Sequence, residues 1–373
     1  MKKHDRLETE EIITTMLSMK QVDDDLFFLM IGEKSQWNPL ELISACRREE
    51  LRIVGGIFPS LITGNTTSAS GIIVKKYPAS IAPVLVTGID RSDFDLGVLP
   101  ELSISTPDKK TTALVVIDGL TSGISSFLSG LYSQLGNTVN YIGGGAGSIS
   151  FQQQPCVFTN DGIFQNAAIV AFIDTFVLLG VKHGWSRITG PLVATRTRKN
   201  MITELNWLPA FEVYADIIKN DSQLDLNQDN FFSIAKSYPF GIIKDKSEYV
   251  VRDPIKVTEC GELICVGEVP ENSVLDVLKG DIGHLIDAAR QAAGQAIHKS
   301  LIFTSGLIFD CISRRLFLED NFEKELDSIA SVFNENGLAL NPEGALTLGE
   351  ISSTGQSYLE YYNKTIIIGL FHE

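Results

Sequence analysis

TALVVID, residues 112–118, and SGLIFDCIS, residues 305–313, carry the reading of this chain. Each is a short apolar run that fits a buried strand, and the segments after each keep the same order. After the first come SGISSFLSGLYSQL (122–135), VNYIGGGAGS (139–148), VFTNDGIF (157–164) and AAIVAFI (167–173). Ile124, Phe127, Leu128, Leu131 and Leu135 recur at helical spacing, and Asn160-Asp161-Gly162 between apolar runs is a hairpin signal. After the second come NFEKELDSIASVF (321–333), TLGEISSTG (347–355) and YYNKTIIIGLF (361–371). Strand, helix, glycine turn, hairpin and terminal apolar strand thus occur in both halves. The pattern predicts duplicated units about a pseudo-twofold axis, with a pocket at their junction lined by the two glycine turns. Helices and hairpins both join the strands. The expected class is therefore α/β (α+β), with mixed or antiparallel sheets and helices outside, rather than a doubly wound parallel sheet.

The remaining segments fit this frame. Residues 6–20 and 39–50 have amphipathic helix spacing, the latter with Pro39 at its start. LRIVGGIF (51–58), GIIVKKY (71–77) and IAPVLVTGI (81–89) read as strands split by turns. Residues 208–219 predict a helix, 240–270 an extended region, and 274–299 a further helix. AAIVAFIDTFVLLGV, residues 167–181, is the longest apolar stretch. It is too short to span a bilayer and carries Asp174, so it reads as buried strands or a strand and a turn.

The chain of 373 residues has a net charge of −15 and a pI near 4.8. Its length suits two or three domains. A nucleic-acid binder needs a basic surface, and KKYPAS and RTRKN are short and isolated, so neither nucleic acid nor anionic membrane is an expected partner. The N-terminus lacks the apolar core of a signal peptide, so the expected location is the cytoplasm. Five cysteines at irregular spacing match neither a zinc site nor a disulfide framework, and no cofactor is expected.

Several residues carry a functional reading beside a plainer one. GGGAGS (143–148) departs from the dinucleotide fingerprint at Ser148 and lacks the Lys of a P-loop. Gly144 and Gly145 then serve positive φ or the close approach of a backbone or small ligand. Glu350, after Gly349 and beside Ser352, Ser353 and Thr354, is either an exposed strand-end acid or a pocket carboxylate paired with a cation. His183, before Gly184 and Trp185, is either a satisfied linker residue or a carboxylate holder. Cys311 reads as a small buried hydrophobe or an activated thiolate, and Arg314 or Arg315 as a bidentate anion anchor or a surface charge. Tyr361, Asn363 and Thr365 share one face of a strand that can line a pocket.

These residues resemble the FIST family of sensory domains. KHGWSRITGPLVATRTRKNMITELNWLPAFEVY (182–214) resembles its His-Gly-Trp segment with the adjoining strands and helix. LIFDCISRR places Cys311 and Arg314 on its F-x-C-x-x-R strand. TLGEISSTG and YYNKT place Gly349, Glu350, Ile351, Asn363 and Thr365 on its G-E-I turn and N-x-T strand. IGGGAGS and VFTNDGIF resemble its N-terminal glycine turn and hairpin. The chain departs from the family at Ser148, where an acid is common, and at GGIFPSLI (55–62), where relatives tend to a Cys-Ser turn ending in Gly-Glu. The resemblance covers about residues 25–371 and implies a helical extension over 1–25, a FIST N-terminal domain over 26–180 and a FIST C-terminal domain over 181–373.

The resemblance implies a sensor of small ligands, amino acids above all, that signals to a separate protein. Gly144, Gly145, Ser148, His183, Cys311, Arg314, Gly349, Glu350, Asn363 and Thr365 form the expected site. Glu350 would meet a ligand ammonium group and Arg314 a carboxylate. An adaptor that docks a protein partner would instead show an exposed apolar patch and no deep pocket. A Cys- or His-dependent enzyme would bring Cys311 or His183 to a partner within hydrogen-bond reach in a cleft.

Overall fold

The computed structural model describes residues 8–100, 111–243, 249–353 and 359–372. Both expected copies are present, and the same order of elements occurs a third time. In the first unit, strand Asp25–Gly32, helix Pro39–Arg48 and strand Arg52–Phe58 lead to hairpin Ser60–Thr63/Thr66–Ser68 and strand Ile72–Pro78. The second unit runs Thr111–Asp118, helix Ile124–Leu135, Val139–Ala146, hairpin Val157–Thr159/Gly162–Phe164 and Ala167–Ile173. The third runs Phe303–Cys311, helices Ile312–Leu318 and Phe322–Glu335, Glu343–Thr347, hairpin Glu350–Ser353/Leu359–Tyr362 and Ile366–His372. In each unit the first two long strands are parallel and the last lies antiparallel to the first.

Each hairpin leaves its own unit and extends the sheet of another. Ser60–Thr63 of the first unit pairs with Glu343–Thr347 of the third. Glu350–Ser353 of the third pairs with Val139–Ala146 of the second. Val157–Thr159 of the second pairs with Arg52–Phe58 of the first. The exchange closes on itself, so each sheet of the ring is completed by another unit. GIIVKKY and LRIVGGIF, which read as strands in the sequence, are thus the outer pair of this first copy.

Strand alternation sorts the side chains into layers. Phe27, Leu29 and Ile31 pack under helices Thr9–Met19 and Pro39–Arg48. Val115 and Ile117 pack under Ile124–Leu135. Ile308, Ile366 and Ile368 pack under Ile282–Gln295 and Phe322–Glu335. The opposite faces, with Phe28, Met30, Leu114, Val116, Leu307 and Phe309, meet in one shared core. There the rings of Phe28 and Phe309 lie 6.4 Å apart. Strands buried on both faces explain why TALVVID and its relatives are continuous apolar runs rather than alternating ones.

Between the second and third units the chain forms a further sheet in the order Ser186–Val193, Val274–Lys279, Phe240–Ile242, Val250–Val257, Leu263–Val266, Met201–Leu205, Arg196–Arg198. Residues 274–299, expected to be one helix, are strand Val274–Lys279 and helix Ile282–Gln295. Asp281 begins the helix by accepting the N–H of His284 at 3.0 Å, a cap that the Gly280-Asp281-Ile282-Gly283 sequence permits. The helix expected over 208–219 starts after the short strand Leu208–Pro209 and spans Ala210–Ser222. Residues 167–181 form two strands, Ala167–Ile173 and Phe176–Lys182, parted at Asp174. Thr354 lies outside the described residues. Among the described residues no helix is long and apolar enough to cross a membrane.

Candidate functional site

A cavity of about 250 Å³ opens where the third unit meets the second unit and the inserted sheet. On the second-unit side it is bounded by the turn after strand Thr111–Asp118, residues 119–125. Asp118, buried at the strand end, holds this turn. One carboxylate oxygen accepts the N–H of Leu120 at 3.1 Å, and the other accepts from Asn166 N at 2.8 Å and Gln153 Nε2 at 2.7 Å. Helix Ile124–Leu135 then starts without a side-chain cap. Its first-turn N–H groups have no intrahelical acceptor. The hydroxyl of Thr121, a residue 7% exposed, has no hydrogen-bond partner.

On the third-unit side the cavity meets Cys311, Ser313, Gly349, Tyr361 and Asn363. The donors of these side chains point back into the protein. Ser313 Oγ donates to Asp253 Oδ2 at 3.1 Å, and Cys311 is itself buried. Tyr361 Oη donates to the carbonyl of Leu348. Asn363 Nδ2 faces the carbonyls of Val266 at 3.3 Å and Val251 at 3.5 Å. Gly349 makes the turn possible. Its φ is +95°, and a Cβ there would stand 2.2 Å from the Tyr361 ring. The inserted sheet closes the rim with Lys199, Asn200 and residues 265–268.

The expected site residues divide. Cys311, Gly349 and Asn363 border the cavity. Gly144 and Gly145 lie behind the turn. Gly145 N donates to Gly349 O at 2.8 Å, and a Cβ on Gly145 would meet Leu348 O at 2.4 Å. The glycine run therefore admits a neighbouring backbone. Ser148 closes its own loop, its Oγ 2.9 Å from Ser150 Oγ and accepting Ser150 N at 3.1 Å. Thr365 donates its N–H to Glu350 Oε2 at 3.3 Å and its hydroxyl to Asn363 O at 2.9 Å. Glu350 is fully buried and accepts Thr347 Oγ1 at 2.8 Å. Burial pushes its carboxyl up to about 8.

Arg314 is fully buried and does not border the cavity. Its guanidinium pairs with Asp310 at 3.2 Å and Glu325 at 3.0 Å. It also donates to the carbonyls of Leu285, His183 and Lys364. Its carboxylate partners are thus the protein's own, which leaves no donor for a ligand. Burial, with Glu325 beside it, pushes Asp310 well above the carboxylate range. His183 accepts the N–H of Trp185 on Nδ1 at 2.9 Å and borders a separate surface depression with His284 and Gln291. Arg315 donates to Glu319 O at 2.8 Å.

A second buried ion pair lies just behind Ser313. Lys364 Nζ is 3.1 Å from Asp253 Oδ2, donates to Lys236 O at 2.8 Å and lies 4.5 Å from the Trp185 ring centre. Neither partner stands out in the sequence. Lys364 lies within the YYNKT motif, whose alternation draws attention to its neighbours instead. The turn Thr121-Ser122-Gly123 is likewise absent from the residues expected at the site, although hydroxyls between a strand and a helix are a readable signal.

Two family models match the chain. The model described as the FIST N domain matches residues 25–208, and that described as the FIST C domain matches residues 210–353. A search of curated proteins finds no match.

Proposed function

The chain belongs to the FIST family, sensory domains of signal transduction, and from that premise we propose that it binds a small polar metabolite, of amino-acid class, in the cavity bordered by Thr121, Ser313, Gly349 and Asn363. The observation that carries this reading is the cavity itself. Its volume of about 250 Å³ lies just under the span of about 300–1,000 Å³ for drug-sized ligands. Its wall mixes apolar Leu120, Ile124 and Ile312 with a few polar groups, the composition of a small-ligand site.

Contacts to the ligand come from Cys311, Ser313, Asn363 and the turn 119–125, rather than from Arg314 and Glu350. Gly145, Glu350 and Thr365 hold the turn that carries Gly349. Arg314 holds the third unit to helix Ile282–Gln295 through Leu285 O. Because the cavity is shared by the second unit, the third unit and the inserted sheet, an occupant that favours one arrangement of these bodies shifts the population toward it, and a separate signalling protein reads the shift. Cys311 and His183 border different depressions, so the enzyme reading gains no nucleophile–base pair from them.

A thermal-shift screen against amino acids, nucleotides and small organic acids tests the proposal. A ligand at about one hundred times its dissociation constant stabilises by about 2.7 kcal/mol. The expected result is a hit abolished by Ser125→Phe, which fills the cavity, with the unliganded melting point preserved. Absence of any hit at millimolar ligand defeats the proposal.

A further inference from the structure

The three units differ at one sheet edge. The last strand of the second unit, Ala167–Ile173, takes a further antiparallel strand, Val84–Thr87, on its outer side. The last strand of the third unit, Ile366–His372, likewise takes Phe176–Lys182. Each added strand follows the preceding unit in the chain. The matching strand of the first unit, Ile72–Pro78, stands at the end of its five-stranded sheet, and among the described residues no strand lies beyond it.

Pairing with Asp25–Gly32 decides which groups that edge leaves open. Gly32 N donates to Gly71 O and Ala79 N to Asp24 O, each at 3.1 Å. Bonded and unbonded residues alternate in an antiparallel pair, so in this register Ile73, Lys75 and Tyr77 bond to the neighbouring strand. Ile72, Val74 and Lys76 turn their N–H and C=O groups outward, and among the described residues no partner meets them. Pro78 has the same parity, but its carbonyl accepts Asp174 N at 2.8 Å and closes the open stretch. Lysines and a proline often guard an edge against pairing. Here both lysines are engaged within the fold. Lys75 pairs with Glu343 and Lys76 with Asp25 at 3.4 Å, and their side chains are 15% and 18% exposed.

We infer that this edge is completed by the same strand of a second copy of the chain, antiparallel to it about a twofold axis at Val74. The three open residues are their own complement. In that register Val74 meets Val74, and Ile72 meets Lys76 from either side, so every outward N–H finds a carbonyl. The side chains agree. Two β-branched valines face each other, and each lysine stands opposite an isoleucine rather than its twin, Lys76 against Ile72 and Lys75 against Ile73. A twofold contact of this kind closes on itself and joins two five-stranded sheets into one. The lysines, already paired, leave no free charge to select an acidic foreign strand.

Light scattering after size exclusion, on the full chain from low to high micromolar concentration, tests the inference. The mass is expected to rise from 40.9 kDa toward twice that value. Val74→Pro removes the central outward N–H but none of the bonds to Asp25–Gly32, and proline is tolerated where an edge strand turns its N–H outward. It is expected to leave the protein folded and monomeric. Val74→Thr keeps the N–H and is expected to stay dimeric. A wild type that remains monomeric at every concentration overturns the inference, and so does a dimer that Val74→Pro leaves intact. If Val74→Pro fails to fold, amide exchange on the wild type decides. Exchange at Ile72, Val74 and Lys76 is expected to slow about tenfold once about nine-tenths of the chains are paired, while Ile73, Lys75 and Tyr77 stay protected throughout. Exchange at the three outward amides that ignores concentration places any dimer elsewhere and overturns the inference too.

Discussion

The N–H of Gly145 donates to the carbonyl of Gly349 at 2.8 Å, and the N–H of Leu348 donates back to the carbonyl of Gly145 at 2.9 Å. These bonds join the end of the second unit's parallel strand to the turn that carries the third unit's hairpin into the second unit's sheet. The backbones approach too closely for any side chain between them. The same turn presents Gly349 to the cavity, so the seam between units and the wall of the site are one piece of backbone.

Adding a methyl group at this seam has a defined cost. Gly349→Ala places a Cβ 2.2 Å from the Tyr361 ring at a φ of +95°, and Gly145→Ala places one 2.4 Å from Leu348 O. Overpacking costs about 1–3 kcal/mol, and the backbone of Gly349 adds to it. Gly64→Ala, where φ is +62° but no atom lies within 4 Å, isolates the backbone part alone. Urea unfolding is expected to place Gly349→Ala below Gly145→Ala, and both below Gly64→Ala. Equal midpoints for Gly349→Ala and Gly64→Ala would show that the seam relaxes.

Arg314 is expected to act on stability before it acts on ligand. Arg314→Met removes the cation between Asp310 and Glu325, both fully buried. Breaking a buried pair from one side costs about 3–5 kcal/mol because the remaining charge is stranded. Asp310→Asn and Glu325→Gln, added to Arg314→Met, remove the charge that these two carboxyls would otherwise share and are expected to return most of the loss. Unfolding midpoints of the single and triple variants decide the matter. A single variant that melts like the wild type but no longer binds ligand would make Arg314 a ligand anchor after all.

Strands, hairpins and helices are legible in the sequence because each rests on local pattern. TALVVID and LIFDCIS are apolar throughout since both faces of their sheets are covered. The third copy is harder to see. LRIVGGIF and GIIVKKY read as strands, but the units share order rather than residues, and the exchange of hairpins lies in pairing between distant positions, Gly55 with Phe158, Ile142 with Ser352 and Leu61 with Ala345. The site is legible in part for a related reason. Cys311, Gly349 and Asn363 stand in motifs, and motifs mark where the backbone is constrained. Whether a polar side chain turns toward a cavity or into the core depends on partners distant in sequence. Arg314 meets Glu325 and Leu285, whereas Ser313, one residue earlier, meets the cavity.

Glu350 is expected to give the protein a pH dependence with a particular sign. An unperturbed glutamate titrates near 4.5, and burial moves this one to about 8 in the fold. Between those values the folded state keeps a proton that the unfolded chain has released. The stability linked to this group is therefore complete below about pH 4.5, declines as the pH rises toward about 8 and is lost above it. Each pH unit in that window is worth at most about 1.4 kcal/mol. Glu350→Gln cannot ionise, and Thr347 Oγ1 can still donate to Asp310 O, at 3.2 Å in the native fold, while accepting from the new amide. Subtracting the two stability curves cancels the groups common to both proteins. The difference is expected to favour Glu350→Gln increasingly as pH rises through the window, read as urea midpoints between about pH 5 and pH 9. Parallel curves would place the ionisation of Glu350 below the window and with it a charged carboxylate behind the cavity wall.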